Sequence, residues 1–174
     1  MKLQKSVDKG GSNMKHDQRD KHEGYIDLVR RIESVLAEET DPIVWMSTLA
    51  CLLKDAFGFL WVGFYLNGSE GLSIGPYQGS LGCLHIPTGR GVCGASASRR
   101  ETIVVSDVHE FPGHISCDQN SNSEIVVPVF DEENQLRAVL DIDSSELEEF
   151  EDLDKKFLEE ITGKMRSLEW SRIA

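Results

Sequence analysis

No apolar run in this 174-residue chain approaches the roughly 18 residues that cross a bilayer. Basic residues are scarce: 18 Lys and Arg stand against 30 Asp and Glu, a formal charge of −12 with the histidines neutral. Such a field repels phosphate backbones and anionic lipid, so nucleic acid and membrane surfaces are excluded as first expectations. The start, Met1 to Lys9, is basic, but no apolar stretch or small-residue cleavage site follows it. No secretory signal is read there, and a cytoplasmic location is expected. Cys-x-x-Cys pairs are missing, which removes zinc-ribbon and thioredoxin-like patterns, and no internal repeat occurs.

What is present is the composition of one globular domain: 40% hydrophobic and 28% charged residues. Residues 1–22 are polar, interrupted by Gly10-Gly11-Ser12-Asn13, and are expected to form a disordered tail ahead of a single domain over 23–174. Tyr25, Leu28, Val29, Ile32, Val35 and Leu36 follow helical spacing, and Asp41-Pro42 stops that helix and starts a second one toward Phe57-Gly58. The period then changes. Six β-rich segments, at 60–66, 72–74, 81–86, 102–105, 125–130 and 136–142, are separated by Gly, Pro, Asn or acidic turns. Phe150, Leu153, Phe157, Leu158, Ile161, Met165 and Leu168 form the stripe of a closing helix. The fold class expected is α+β, an antiparallel sheet with the terminal helices on one face and the other face free to build a site beneath the loops. Helices at both ends are also compatible with a homodimer.

Gly89-Arg90-Gly91-Val92-Cys93-Gly94 has the glycine spacing of a dinucleotide-binding turn, with Asp107 eighteen residues after the first glycine. Pro87-Thr88 separate it from the preceding strand, and only seven residues, Ala95 to Glu101, remain for a crossover helix. A parallel crossover needs a dozen or more. The preferred reading is a glycine-rich turn opening a short helix, whose first N–H groups face an anionic or thiolate group. Asp141-Ile142-Asp143-Ser144 begins like a calcium loop but has Glu146 where that loop requires glycine. The alternation instead puts Asp141 and Asp143 on one strand face, either covering a solvated edge or lining a cation-binding pocket. Carboxyls buried together there would have at least one raised pKa. Trp61, Gly63 and Tyr65 share a strand face as well; core packing is the ordinary explanation, although Gly63 leaves room for a small ligand beside the rings.

Cys51 falls within a helical pattern and reads as a small buried hydrophobe. Cys83, Cys93 and Cys117 are spaced by ten and twenty-four residues. His109, His114 and Cys117 offer three metal donors within nine residues, but a structural zinc site needs a fourth ligand and closer pairs, so no metal is expected. Cys117 lies in a polar loop where a thiol is reachable. Three thiols near loops fit a redox reaction in which one cysteine attacks and another closes a disulfide, although spacing alone does not bring them together.

The segments Trp61 to Tyr65, Gly75 to Gly79, Gly89 to Gly94, Asp107-Val108-His109, Gly113-His114-Ile115-x-Cys117-Asp118, Ser121 to Ile125 and Leu140 to Ser144, taken in order, resemble the free methionine-(R)-sulfoxide reductases, stand-alone GAF-domain enzymes. The resemblance runs from about Tyr25 to Leu168. It implies a six-stranded GAF-like sheet and an enzyme that reduces the R epimer of free methionine sulfoxide. It also implies no cofactor of its own, with electrons passing from NADPH through thioredoxin reductase and thioredoxin. By the same resemblance Cys117 is the attacking cysteine, Cys83 the preferred resolving cysteine, and Cys93 an alternative or second-step partner. Glu124, Asp141 and Asp143 surround the substrate, and Trp61 and Tyr65 form its aromatic wall.

The chemistry of these residue types agrees. A sulfoxide becomes a good electrophile when its oxygen is protonated, which a carboxyl held neutral beside another carboxylate can do. Remaining negative charge suits a free α-ammonium group. The alternatives are a non-catalytic GAF sensor of a small molecule and a thiol redox sensor, neither of which would turn over a sulfoxide.

Overall fold

The computed structural model describes residues 13–115 and 117–173. Three helices, α1 (Asn13–Leu36), α2 (Pro42–Phe57) and α4 (Asp152–Gly163), pack on one face of a six-stranded sheet. A fourth, α3 (Gly91–Arg99), lies on the other face. The strands are β1 (Trp61–Gly68), β2 (Gly71–Gln78), β3 (His85–Ile86), β4 (Ile103–Val105), β5 (Ser123–Phe130) and β6 (Leu136–Ser144). They run antiparallel in the order β3-β2-β1-β6-β5-β4. This is the α+β arrangement expected. No helix of the described residues is long and apolar enough to cross a membrane.

Alternation along the strands divides the molecule into two cores. Val62 and Phe64 of β1, Ile125, Val127 and Val129 of β5, and Ala138, Leu140 and Ile142 of β6 face the three helices. Trp61, Tyr65, Val126 and Val139 face the opposite way, toward α3 and the loops. The three-helix side is pinned by Asp154, which is fully buried at the start of α4. Its carboxylate accepts hydrogen bonds from the Tyr25 hydroxyl (2.7 Å) and the Glu151 N–H (2.8 Å) and pairs with Lys21 Nζ at 3.0 Å.

That ion pair bears on the expected tail. Helix α1 begins at Asn13, so residues 13–22 are helical, while the first twelve lie outside the described residues. The stretch Met14 to Glu23 contains neither Gly nor Pro and is rich in Lys, Arg, Gln and Glu, which favour helix once one end is anchored. Three other expectations are revised. The 81–86 strand contracts to His85–Ile86, because Leu81 to Leu84 form a loop cross-linked through Cys83. The closing helix ends at Gly163, a poor helix former, and continues as 3-10 turns over Lys164–Ser167 and Trp170–Arg172. Cys51 is exposed, since the buried stripe of α2 runs through Trp45, Met46, Leu49, Ala50 and Leu53.

The glycine fingerprint belongs to a connection unlike a nucleotide-binding unit. It lies in the connection from β3 to β4, the two opposite edges of the sheet, so the connection that carries α3 must cross a face about 24 Å wide, five strand spacings. Gly94 lets the helix lie close: a Cβ there would sit 2.5 Å from the Pro87 carbonyl oxygen and 3.1 Å from the Gly89 nitrogen. Asp107, the acidic residue of the apparent fingerprint, caps a 3-10 turn by accepting the His109 N–H at 2.9 Å.

Candidate active site

The site is built on the central strands, on the face away from the three-helix core. Register places Glu124 of β5 opposite Asp143 of β6, and Val126 opposite Asp141. Across the other edge of β6, Asp141 pairs with Gly63 and Asp143 with Trp61. Directly opposed residues project from the same face, so three carboxyls from two strands converge. Asp141 and Asp143 thus line a pocket and do not cover a solvated sheet edge.

Glu124 and Asp141 are only 5% and 6% exposed. Burial raises both pKa values well above the ordinary carboxylate range, and repulsion from the neighbouring carboxyls raises them further. Burial likewise pushes Asp143 up to about 6, against the opposing effect of Ser121, whose hydroxyl donates a 2.5 Å hydrogen bond to Asp143 Oδ1. Charges of one sign this close do not all ionise near neutral pH, so the cluster holds protons.

The first turn of α3 closes one side. Gly91, Val92 and Cys93 line the pocket, and the preceding Arg90 provides no side-chain cap for the helix N-terminus. Buried Cys93 directs its thiol at Glu124 Oε1 over 3.8 Å. Burial, then the Asp141 and Glu124 carboxyls, push its pKa well up, so it is a neutral thiol here. Cys93 Sγ and one oxygen each of Glu124 and Asp141 lie within 4.8 Å of one another, a set with the donors for a cation once deprotonated. The metal trio weighed from the sequence does not assemble: Cys117 is in a disulfide, and His109 turns to Asn122 Oδ1 at 3.2 Å.

The loop from Pro112 to Ser121 forms the roof. A turn at Pro112-Gly113, closed by the His114 N–H to the Phe111 carbonyl at 3.1 Å, sets the loop's direction. Cys117 is joined to Cys83 in a disulfide with its Cα atoms 5.4 Å apart, and Cys93 is left free. A second tie, Ser80 Oγ to Asp118 Oδ2 at 2.5 Å, links the same two loops. With the disulfide closed the enclosed space is about 30 Å³, room for about two waters. Two buried polar atoms lining it have no hydrogen-bond partner, His114 Nδ1 and Asp141 Oδ1. His114 Nδ1 stands 4.0 Å from Glu124 Oε2, and burial and His109 lower its pKa, so the ring favours its neutral form. The sequence offers His114 as a metal donor and as part of the Gly113–Asp118 segment that carries the resemblance, with no substrate role; its position next to the cysteine loop is the signal that points to the pocket.

Trp61 and Tyr65 stack at 5.8 Å but do not line this enclosed space. The room expected beside Gly63 is filled by the Trp61 ring and Tyr77. The loop carrying Cys83 lies over both rings: Trp61 Nε1 donates to the Ser80 carbonyl at 3.0 Å, and a Cβ on Gly82 would meet the Tyr65 hydroxyl at 3.1 Å. In the disulfide form the two aromatics therefore support the Cys83 loop.

The GAF domain family model matches residues 41–164. Free methionine-R-sulfoxide reductase of Escherichia coli is 40% identical over 149 residues, 85% of this chain and 90% of that one. The chain belongs to the GAF-domain free methionine-R-sulfoxide reductases. Among solved structures, the free methionine-R-sulfoxide reductase of Neisseria meningitidis in complex with its substrate superposes with a TM-score of 0.83 at 40% identity, covering 96% of this chain and 97% of that one. The reduced form of fRMsr of Staphylococcus aureus gives a TM-score of 0.78 at 45% identity, covering 82% and 92%. Of the segments that carry the resemblance to this reductase family, 121–125 and 140–144 supply the acidic wall, 89–94 the α3 turn and 113–118 the cysteine Cys117.

Proposed function

We propose that the protein reduces free methionine-(R)-S-oxide to methionine and that electrons return to it through thioredoxin. The observation that carries this reading is the Cys83–Cys117 disulfide at the mouth of a pocket walled by Glu124, Asp141 and Asp143. A reachable cysteine already paired with its resolving partner is what a thiol reductase becomes after one turnover.

In the reduced enzyme the Cys117 thiolate attacks the sulfoxide sulfur. A proton-holding carboxyl of the cluster protonates the oxygen, giving a Cys117–S(OH) adduct; its hydroxyl passes to Cys117 Sγ as the bonds from the substrate sulfur to oxygen and to Cys117 break, releasing methionine and leaving Cys117 as a sulfenic acid. Cys83 then attacks that sulfur, expelling water and closing the disulfide. The sulfoxide gains the two electrons that the pair of thiols loses. The α-ammonium is received by the acidic wall, and His114 Nδ1 and Asp141 Oδ1 supply acceptors otherwise unfilled. The uncapped N–H groups of α3 suit the α-carboxylate. A peptide or N-blocked sulfoxide brings no cation to offset the buried charge, which favours the free amino acid. Because the closed pocket admits only water, the roof must move before substrate enters.

NADPH consumption with thioredoxin and thioredoxin reductase, on the separate R and S epimers of free methionine sulfoxide and on an N-acetyl R form, tests the reading. Turnover confined to the free R epimer and lost in Cys117→Ser is expected. Its absence with reduced thiols would move the sensor alternative ahead.

A further inference from the structure

Two large apolar side chains stand uncovered beside the disulfide: Leu81 is 74% exposed and Leu84 59% exposed. They flank Cys83 on the loop that crosses Trp61 and Tyr65. Gly79-Ser80-Leu81-Gly82-Cys83-Leu84 carries no charge in a chain of net charge −12. The charged neighbour across the disulfide, Asp118, is held by Ser80 and Asn120. The inner side of the Cys83–Cys117 bridge borders the acidic pocket, while Cys117 is exposed and Cys83 half-buried.

We propose that Leu81 and Leu84 are the docking surface for a protein dithiol reductant and that it attacks the sulfur of Cys117. The proposal rests on the reductase reading above, because only a cycling enzyme needs its disulfide reopened. Thiol–disulfide exchange requires the incoming thiolate to reach a sulfur from the side open to solvent, so a bulky reductant must lie against residues bordering that opening. An uncharged apolar island beside the disulfide lets a partner approach the bridge with little repulsion, and two leucines, the more exposed at 74%, supply area to bury.

The exchange balances. The reductant thiolate forms a bond to Cys117 Sγ, the Cys83–Cys117 bond breaks, and Cys83 leaves as a thiolate that takes a proton from water. The reductant's second thiolate then attacks its own first sulfur, releasing the Cys117 thiolate and oxidising the reductant to a disulfide. Removing Cys117 from Cys83 also removes one of the two ties between the roof and the Cys83 loop, leaving the Ser80–Asp118 hydrogen bond.

Leu81→Ser/Leu84→Ser tests the surface with thioredoxin as the probe. The KM for thioredoxin should rise by about tenfold, while turnover with dithiothreitol stays at the wild-type rate. Thioredoxin whose second cysteine is replaced by Ser should be trapped on the oxidised wild-type enzyme, with the mixed disulfide mapping to Cys117. An unchanged KM overturns the docking surface, and a link to Cys83 overturns the direction of attack. If dithiothreitol sustains turnover of the wild type but thioredoxin does not, the docking proposal fails and the reductase stands. If neither does, the reductase reading fails.

Discussion

Glu124 and Asp143 are register partners across β5 and β6, so two acidic side chains are directly opposed on one face of the sheet. Like charges in that position destabilise a strand pair, and the arrangement persists because burial keeps protons on the cluster. Ser121 moderates it through its 2.5 Å hydrogen bond to Asp143. In Ser121→Ala that opposing effect is lost, and the Asp143 pKa rises further above about 6. The alkaline limb of the kcat profile should move to higher pH with the KM for sulfoxide little changed. An unmoved limb would detach Asp143 from proton delivery.

The cysteines should separate by how far each variant carries a single turnover. Cys117→Ser should release no methionine from pre-reduced enzyme. Cys83→Ser should release about one equivalent per subunit and stall as a sulfenic acid that a dimedone-type reagent traps. Cys93→Ser should complete the cycle, because Cys93 is outside the disulfide and its thiol is held neutral by burial and the adjoining carboxyls. Loss of resolution in Cys93→Ser would contradict that assignment, as would persistent turnover by Cys83→Ser with thioredoxin.

Much of this site is legible in the sequence because strand alternation is a local rule. The two-residue spacing of Asp141 and Asp143 is enough to put both on one strand face, and the same rule places Trp61 with Tyr65. Glu124 joins the two aspartates through β5–β6 register, and resemblance rather than period indicates that partnership. The fate of the aromatic rings is not legible: whether Trp61 lines a cavity or supports a loop depends on where Ser80 and Gly82 cross it, a tertiary contact with no sequence period. The N-terminal segment fails for a related reason. Polarity near Met14 to Lys21 reads as disorder until Asp154, more than a hundred residues later, supplies a buried partner for Lys21.

Stability should rise as the solution is acidified from about pH 8 toward pH 5. Glu124, Asp141 and Asp143 have folded-state pKa values raised above their unfolded values, so the native state binds more protons in this window. The derivative of unfolding free energy with pH is then negative. Their contribution is fully present below the unfolded values, near 4, and is lost as pH rises through about 6 for Asp143 and higher for the other two. Carboxylates with lowered values, such as Asp41, Asp118 and Asp131, act in the opposite sense only below the ordinary carboxylate range, and His114, lowered from 6.5, opposes the trend as one group against three. Thermal midpoints across pH 5 to 8 should fall with pH, and Asp143→Asn should flatten the lower part of that slope.

Removing the buried Asp154 carboxylate should be among the most damaging changes away from the pocket. Asp154→Ala leaves the Tyr25 hydroxyl and the Glu151 N–H without their acceptor and deprives Lys21 of one of its two carboxylates, Glu149 remaining. A loss of about 3 kcal/mol is expected in urea unfolding. Tyr25→Phe, which removes one hydrogen bond and leaves the ion pair, should cost about 1 kcal/mol. Equal losses in the two variants would mean that the Tyr25 hydroxyl accounts for the whole contribution of Asp154, and that the Lys21 pair and the Glu151 N–H add nothing.

Gly94 offers a test of the physical reason for the misleading fingerprint. Its Cα hydrogen points at the Pro87 carbonyl and the Gly89 nitrogen, both backbone atoms, so an added methyl cannot be accommodated by rotating a side chain. In Gly94→Ala either α3 lifts from the 87–89 turn or the turn moves, and Cys93, one residue earlier, moves with it. Overpacking of this kind costs about 1–3 kcal/mol. Displacement of the α3 N-terminus should also raise the KM for the sulfoxide, whose carboxylate is assigned to those N–H groups. Gly89→Ala is the counterpart: its Cβ would meet no atom within 4 Å, but its φ of 78° is strained for any side chain. It should therefore lose about 1 kcal/mol of stability with little change in KM. If both variants lost stability equally and neither changed KM, the close approach of α3 to the turn would be irrelevant to substrate binding.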